Sequence, residues 1–259
     1  HDERSLEKNM RLRLKMLLFA VLSVSYCSTI HAQIGQHRSD FAVGVNGGYV
    51  LSTVGFMPTV PQKQHGGITA GLSMRYTSEK YFSTICSVMG EINVAQVGWT
   101  EDILDANDRP VINGATNVAE KYSRNLTYVQ VPIFAHLAWG KEQKGMQFFL
   151  NLGPQFGYML SEKTSMNYSY AQRNVVDRVS AVSEQETMKV ARRFDYGIAA
   201  GIGGEYVHPA VGHFLLEARY YYGLGNIFAS SKRDYFSRSN FGQIVVKATY
   251  LFDMMRTSK

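Results

Sequence analysis

Apolar and polar residues alternate along short stretches of this chain, and the alternation recurs eight times. From Phe41 to Leu51, the residues Phe41, Val43, Val45, Tyr49 and Leu51 fall on one side, with Ala42, Gly44, Asn46 and Gly48 on the other. In the next stretch Ile68, Ala70, Leu72, Met74 and Tyr76 oppose Thr69, Gly71, Ser73 and Arg75. A period of two belongs to a strand whose faces meet different surroundings. The pattern predicts strands at about 41–51, 67–77, 82–97, 125–139, 146–160, 193–206, 213–224 and 241–252.

The connections alternate too. Long ones at 52–66, 98–124, 161–192 and 225–240 are separated by short ones at Ser78-Glu79-Lys80, Gly140 to Gly145 and His208-Pro209. Lipid cannot hydrogen-bond an open backbone, so strands with one oily face persist in a membrane only if they close on themselves. Short periplasmic turns and long outer loops are the mark of outer-membrane barrels, and an even strand number leaves both ends in the periplasm. The expected fold is therefore all-β, an eight-stranded antiparallel transmembrane β-barrel. Val43, Leu72, Val131, Ile133, Ile198, Leu216 and Ile244 are expected to face lipid. Residues 171–192 leave room for a short helix inside the third long loop.

Composition agrees with this. Of 259 residues 45% are hydrophobic, and the slightly negative mean hydropathy is expected where only alternate strand residues meet lipid. Sixteen Tyr and 14 Phe suit the two membrane-water boundaries. The net charge of +6 is scattered and partly confined to the leader, so no nucleic-acid partner is expected. Arg11, Arg13 and Lys15, the apolar run Met16 to Tyr26 and the small-residue site Ile30-His31-Ala32 read as a signal peptide cleaved before Gln33. Cys27 offers a lipid-attachment alternative, which the bulky Tyr26 before it disfavours. Residues 1–32 are thus an N-terminal extension and signal peptide, and 33–259 a barrel domain. Residues 1–9 precede Met10 and lack signal-peptide character. Without lipidation Cys86 is the one mature cysteine, a small apolar strand residue.

Several motifs together resemble the PorT-like outer-membrane β-barrel proteins of Bacteroidetes. They are Gly44-Val45-Asn46-Gly47-Gly48 with Leu51-Ser52, Tyr76 to Phe82, Gly98-Trp99, Leu126 to Pro132, Asn151 to Tyr158, Phe194-Asp195-Tyr196-Gly197 and Leu216 to Leu224. The resemblance spans about residues 41–252. It implies an eight-stranded barrel in the outer membrane and, through the namesake of the family, an association with the type IX secretion system. Gln130 stands where that family often carries a carboxylate.

On the expected interior parity lie Arg75, Glu91, Gln130, Asp195, Glu205, Glu217, Arg219 and Lys247, with Asn93, His136, Asn151 and Gln155. The interior of eight strands is just wide enough for side chains to fill, so these should form a hydrogen-bonded polar network that closes the lumen. Glu217 is expected opposite Lys247 on the last hairpin. His65, His136, His208 and His213 have no recognisable nucleophile context, and no Cys/His cluster has metal-ligand spacing. Gly201-Ile202-Gly203-Gly204 lies inside an alternating strand, where glycines make room for lumen neighbours. No catalytic residue, metal or cofactor is expected. The expected role is a non-enzymatic accessory of type IX-like secretion or envelope assembly, with a small porin-like channel or transporter as the alternative. Outer-membrane lipid, lipopolysaccharide and other secretion components are the expected partners. The basic end of the third long loop, Lys189, Arg192 and Arg193, offers a pairing with anionic headgroups.

Overall fold

Eight long strands form an up-and-down ring: β1 (Gln36–Met57), β3 (His65–Tyr81), β4 (Thr84–Glu101), β5 (Tyr122–Gly140), β6 (Gly145–Met166), β7 (Phe194–His208), β8 (Gly212–Gly223) and β9 (Arg238–Met255). A two-residue strand, β2 (Gln62–Lys63), extends the sheet by pairing with Thr100 and Glu101 at the outer end of β4. The computed structural model describes residues 35–256. The chain divides into two units, residues 1–36 and 37–259, and the barrel is the second of these. The signal peptide and its cleavage site lie outside the described residues.

Each long strand pairs with its neighbours in sequence, β4 pairs with β5, and β9 returns antiparallel to β1, which closes the ring. Closure leaves the eight strands without an open edge, as a hydrocarbon solvent requires. Burial alternates residue by residue. On β8 every second side chain from His213 to Tyr221 is buried, while Phe214, Leu216, Ala218, Tyr220 and Tyr222 point outward. Leu72, Ile133, Ile198, Leu216 and Ile244 are exposed on the outer surface, and Val43 and Val131 lie half-buried on the same face. Outward aromatics gather in two rings. Trp139, Phe148, Tyr206, Phe214 and Tyr250 lie toward the short turns, and Phe156, Tyr158, Phe194, Tyr196, Tyr220 and Tyr222 toward the long loops. Phe214 and Tyr222 span roughly 20 Å of membrane normal on a tilted strand, close to the ~25 Å apolar band of such barrels.

The turn at 141–144 is flanked by Gly140 and Gly145 at φ 136° and 135°, backbone geometry that L side chains avoid. Several strands run further outward than the alternation predicts: β1 reaches Met57, β4 Glu101 and β6 Met166, and β5 starts at Tyr122. There the outer face meets water, so Thr100, Ser123, Asn125 and Thr127 replace apolar residues and the hydrophobic signal fades while pairing continues. The third long loop holds no α-helix, contrary to the room left for one. It contains two three-residue 3-10 turns, Tyr170–Gln172 and Glu184–Glu186. Its backbone bonds instead to the neighbouring loop, with the Val179 amide donating to Leu104 at 3.0 Å and the Asn174 amide to the Glu120 carboxylate at 2.8 Å.

Candidate functional site

Inward side chains stack in layers along the lumen. Consecutive inward residues of one strand sit about 6.6 Å apart along it, so hydrogen bonds form mainly around a layer rather than between layers. The layer nearest the short turns joins Arg75 to Glu205 through two bonds, Nη1 to Oε2 at 2.7 Å and Nη2 to Oε1 at 2.9 Å. His213 faces Glu205 with Nδ1 and Asp253 with Nε2, the latter at 3.0 Å. His136 meets Asn151 Oδ1 through Nδ1 at 2.7 Å. Arg75, His136, Glu205, His213 and Asp253 border a cavity of about 330 Å³ that opens at the short-turn end of the barrel, where Glu142 pairs with Arg38 and Lys80. Burial opposes the charge on Glu142, but Lys80 and Arg38 outweigh it and hold the carboxyl below its ordinary value.

Glu91 is the hub of the middle layer. Arg219 grips both carboxylate oxygens at 2.9 and 3.0 Å, and Lys247 Nζ and Asn93 Nδ2 each donate to Oε2 at 2.8 Å. Arg219 also donates to Glu217 at 2.9 and 2.8 Å, and its guanidinium lies over the Phe134 ring. Glu217 is the Cα partner of Lys247 on the last hairpin, as expected, but Lys247 reaches across the lumen to Glu91 on β4 rather than to Glu217. Gly201 lies beside this layer. A Cβ there would strike the Glu217 carboxylate, and one at Gly203 would strike the Phe149 ring. These glycines therefore make room for lumen side chains, and the strand contains no phosphate loop.

Further out, Gln130 donates to Gln243 at 3.2 Å and Asp195 accepts from the Tyr221 hydroxyl at 2.7 Å. The eight interior residues thus belong to four separate groups: Arg75 with Glu205; Glu91 with Glu217, Arg219 and Lys247; Gln130; and Asp195. Among the described residues no hydrogen bond joins one group to the next, which corrects the expectation of one continuous network.

The outer mouth is filled by groups that the alternation did not single out. Trp99 and Phe56 meet edge-on with centroids 5.3 Å apart, and Phe228 and Phe236 fold in from the loop 224–237 to pack against Phe56. Arg124 lies 5.1 Å from the Trp99 centroid and donates to the carbonyls of Gln185, Glu186 and Met188. The third long loop is thereby drawn over the barrel as a lid. Gln185 Nε2 adds a bond to Glu101 at 2.8 Å. Arg178 clamps Glu120 of the hairpin 102–121 and Glu186 of the lid at 2.7 and 2.6 Å. Burial alone would raise the pKa of Glu120, but Asn113, the Asn174 amide and Arg178 hold it below its ordinary value. Arg124 and Glu101 share the inward parity of their strands, so extending the predicted strands by one turn of alternation would have revealed both.

Ser87, His136 and Asn151 are cross-strand neighbours on β4, β5 and β6. The Ser87 hydroxyl, however, shares its bond with Thr77 at 2.9 Å, and among the described residues no hydrogen bond joins Ser87 to His136. His65 bonds Thr100, and His208 accepts from the Ala210 amide.

A family model described as outer membrane protein beta-barrel domain matches residues 31–229. The chain belongs to this family. The match shows an outer-membrane β-barrel domain and does not show a PorT-like protein. No curated protein matches the chain. Among solved structures, Ail, the attachment invasion locus protein of Yersinia pestis, is similar at 17% identity and a TM-score of 0.34, over 84% of this chain and 99% of that one. The outer membrane protein OprG from Pseudomonas aeruginosa gives 11% and 0.41, over 84% and 98%. Neisserial surface protein A gives 10% and 0.39, over 84% and 100%. Likeness at this level carries nothing about what the chain binds or does. The protein is an outer-membrane β-barrel by its family and by the closed ring of its strands.

Proposed function

We propose that this barrel is a closed, non-enzymatic accessory of an envelope assembly, acting through its ordered outer loops and not through its lumen. The observation that carries this reading is the Glu91 layer. Glu91, Glu217, Arg219 and Lys247 span the ring from β4 to β8 and β9, all nearly inaccessible to solvent, and they balance one another in charge. The Trp99 and Arg124 plug and the lid above it support the same reading, because they cover the mouth a solute would use. The resemblance of the strand motifs to PorT-like proteins makes type IX-like protein secretion the assembly of choice. Export by the leader ending at Ala32 and contact with outer-membrane lipid and lipopolysaccharide complete the picture. The cavity at the short-turn end is the one feature that favours a channel instead, and it ends against Arg75 and Glu205.

Two measurements test this. Purified protein in a planar bilayer should show no steady ion conductance, and deleting the gene should reduce secreted and surface-attached proteins. Open-channel currents in the unmodified protein would establish the channel reading. Unchanged export with an unchanged envelope would remove the secretion role.

A further inference from the structure

The outer rim is electrically uneven. Residues 187–193 and the loop 224–237 carry Lys189, Arg192, Arg193, Lys232 and Arg233 against the single acid Asp234, whereas the hairpin 102–121 carries Asp102, Asp105, Asp108 and Glu120 against Arg109 and Lys121. The two basic segments touch, since the amides of Ala191 and Arg192 both donate to the Ile227 carbonyl at 2.9 and 3.1 Å. All five cations are exposed, and among the described residues none makes an ion pair with a carboxylate. Asp234 feels the charge of Arg192, but its carboxylate is engaged by the Ser231 amide at 2.7 Å.

The membrane face beneath this sector is equally distinct. Phe156, Tyr158, Phe194, Tyr196, Tyr220 and Tyr222 form one contiguous outward surface on β6, β7 and β8. The loop 224–237 springs directly from it, because the amides of Leu224 and Gly225 donate to the Tyr196 carbonyl at 2.8 and 3.3 Å. On the adjoining wall, the outer ends of β4 and β5 present Thr100, Ser123, Asn125 and Thr127 instead. An unneutralised cluster of cations is self-repelling until an anion joins it. Arginine pairs match phosphate oxygens in geometry as well as charge, and aromatic rings at this height suit the boundary between headgroup and acyl chain.

We propose that the β6–β8 sector is a binding site for a phosphorylated glycolipid of the outer leaflet. Arg192, Arg193, Lys232 and Arg233 take the phosphate groups, and the aromatic surface below takes the start of the acyl chains. This rests on the outward orientation of the long loops in the function proposed above.

The test measures lipid retention on the full chain in detergent micelles by native mass spectrometry. The probes are bisphosphorylated lipid A and the same lipid stripped of its phosphates, with inorganic phosphate as competitor. The phosphorylated lipid should be retained, and Arg192→Gln with Arg193→Gln should weaken it about 30-fold, at roughly fivefold per cation. Asp105→Asn with Asp108→Asn should leave retention unchanged. Equal retention of the stripped lipid, or no loss in the arginine double variant, would overturn the site. Full displacement by inorganic phosphate at the concentration of the lipid would assign the site to free phosphate and overturn the lipid proposal. Orientation is read separately by labelling Lys232→Cys on intact cells with a membrane-impermeant maleimide, the parent chain with its Cys86 serving as background. Failure there would refute the outward orientation, and the micelle result would still decide the site.

Discussion

Replacing Glu91 by Gln should be among the most damaging conservative changes in the barrel. The carboxylate accepts one bond at Oε1, from Arg219, and three at Oε2, from Arg219, Lys247 and Asn93. A glutamine amide keeps its oxygen best at the triply bonded position, which turns its NH2 group toward the Arg219 Nη2 donor. It also leaves Arg219 and Lys247, both under 5% exposed, with Glu217 as the one anion of the layer. Breaking a buried ion pair by removing one partner costs about 3–5 kcal/mol, and a loss of that size is expected in a urea unfolding-refolding titration of the barrel in detergent or lipid. Adding Lys247→Met restores neutrality, so the double variant should lose less than the two single losses summed, by more than the ~0.5 kcal/mol scatter of independent sites. A loss below about 1 kcal/mol for Glu91→Gln, or a strictly additive cycle, would show that water reaches the layer. The case for a closed lumen would then fail.

Leu216→Arg, on the lipid face of β8, should cost about 2–4 kcal/mol in the same titration, whereas Val176→Arg in the lid, whose side chain is 89% exposed, should be nearly neutral; equal effects would refute the register. Arg124→Met removes the donor to three lid carbonyls and should make residues 170–190 cleavable by trypsin-like proteases in a ring that still resists cold detergent, and unchanged cleavage would refute the anchoring. Because the pKa of Glu120 is depressed in the folded loop, its contribution is complete above the ordinary carboxylate value of about 4.3 and is lost as pH falls through the depressed one. Protection of the Asn174 amide, taken relative to its intrinsic exchange rate at each pH, should therefore fall as the pH drops below the ordinary carboxylate value, and Glu120→Gln should abolish that dependence.

The ring and the identity of its inward residues were legible because lipid on one side and a packed lumen on the other force a strict two-residue period. Glu91 and Arg219 stand out for the same reason, since a charged side chain between two apolar outward neighbours has nowhere to go but inward. What the alternation did not reveal is who meets whom across the lumen. Cross-strand register locates Glu217 opposite Lys247, yet the lysine is long enough to reach the far wall, and no one-dimensional pattern carries that choice. Arg124 and Trp99 were missed for a different reason. They lie where the outward face has left the lipid, so the hydrophobic half of the pattern disappears while the polar and aromatic inward half continues. The lid has no period at all, because outside its two short 3-10 turns its backbone bonds run to Arg124, Leu104 and Glu120.

A charged lumen layer invites the question of why this protein does not fill its core with apolar residues, which in soluble proteins is often no less stable than a buried ion pair. The answer lies in the solvent outside. If both faces of β8 were oily, sliding that strand by one residue against its neighbours would exchange one apolar face for another at little cost. With Glu217 and Arg219 inside, the same slip turns both toward lipid, where an arginine alone costs about 2–4 kcal/mol at the midplane. The Glu91 layer therefore defines register as much as it fills space. Register in turn sets the heights of Tyr122 and Arg124 at the outer end of β5, on which the lid is hung. A barrel closed and fixed in this way has its adaptable surface in the outer loops, one sector acidic and one basic, and any partner or lipid that recognises it meets those loops first.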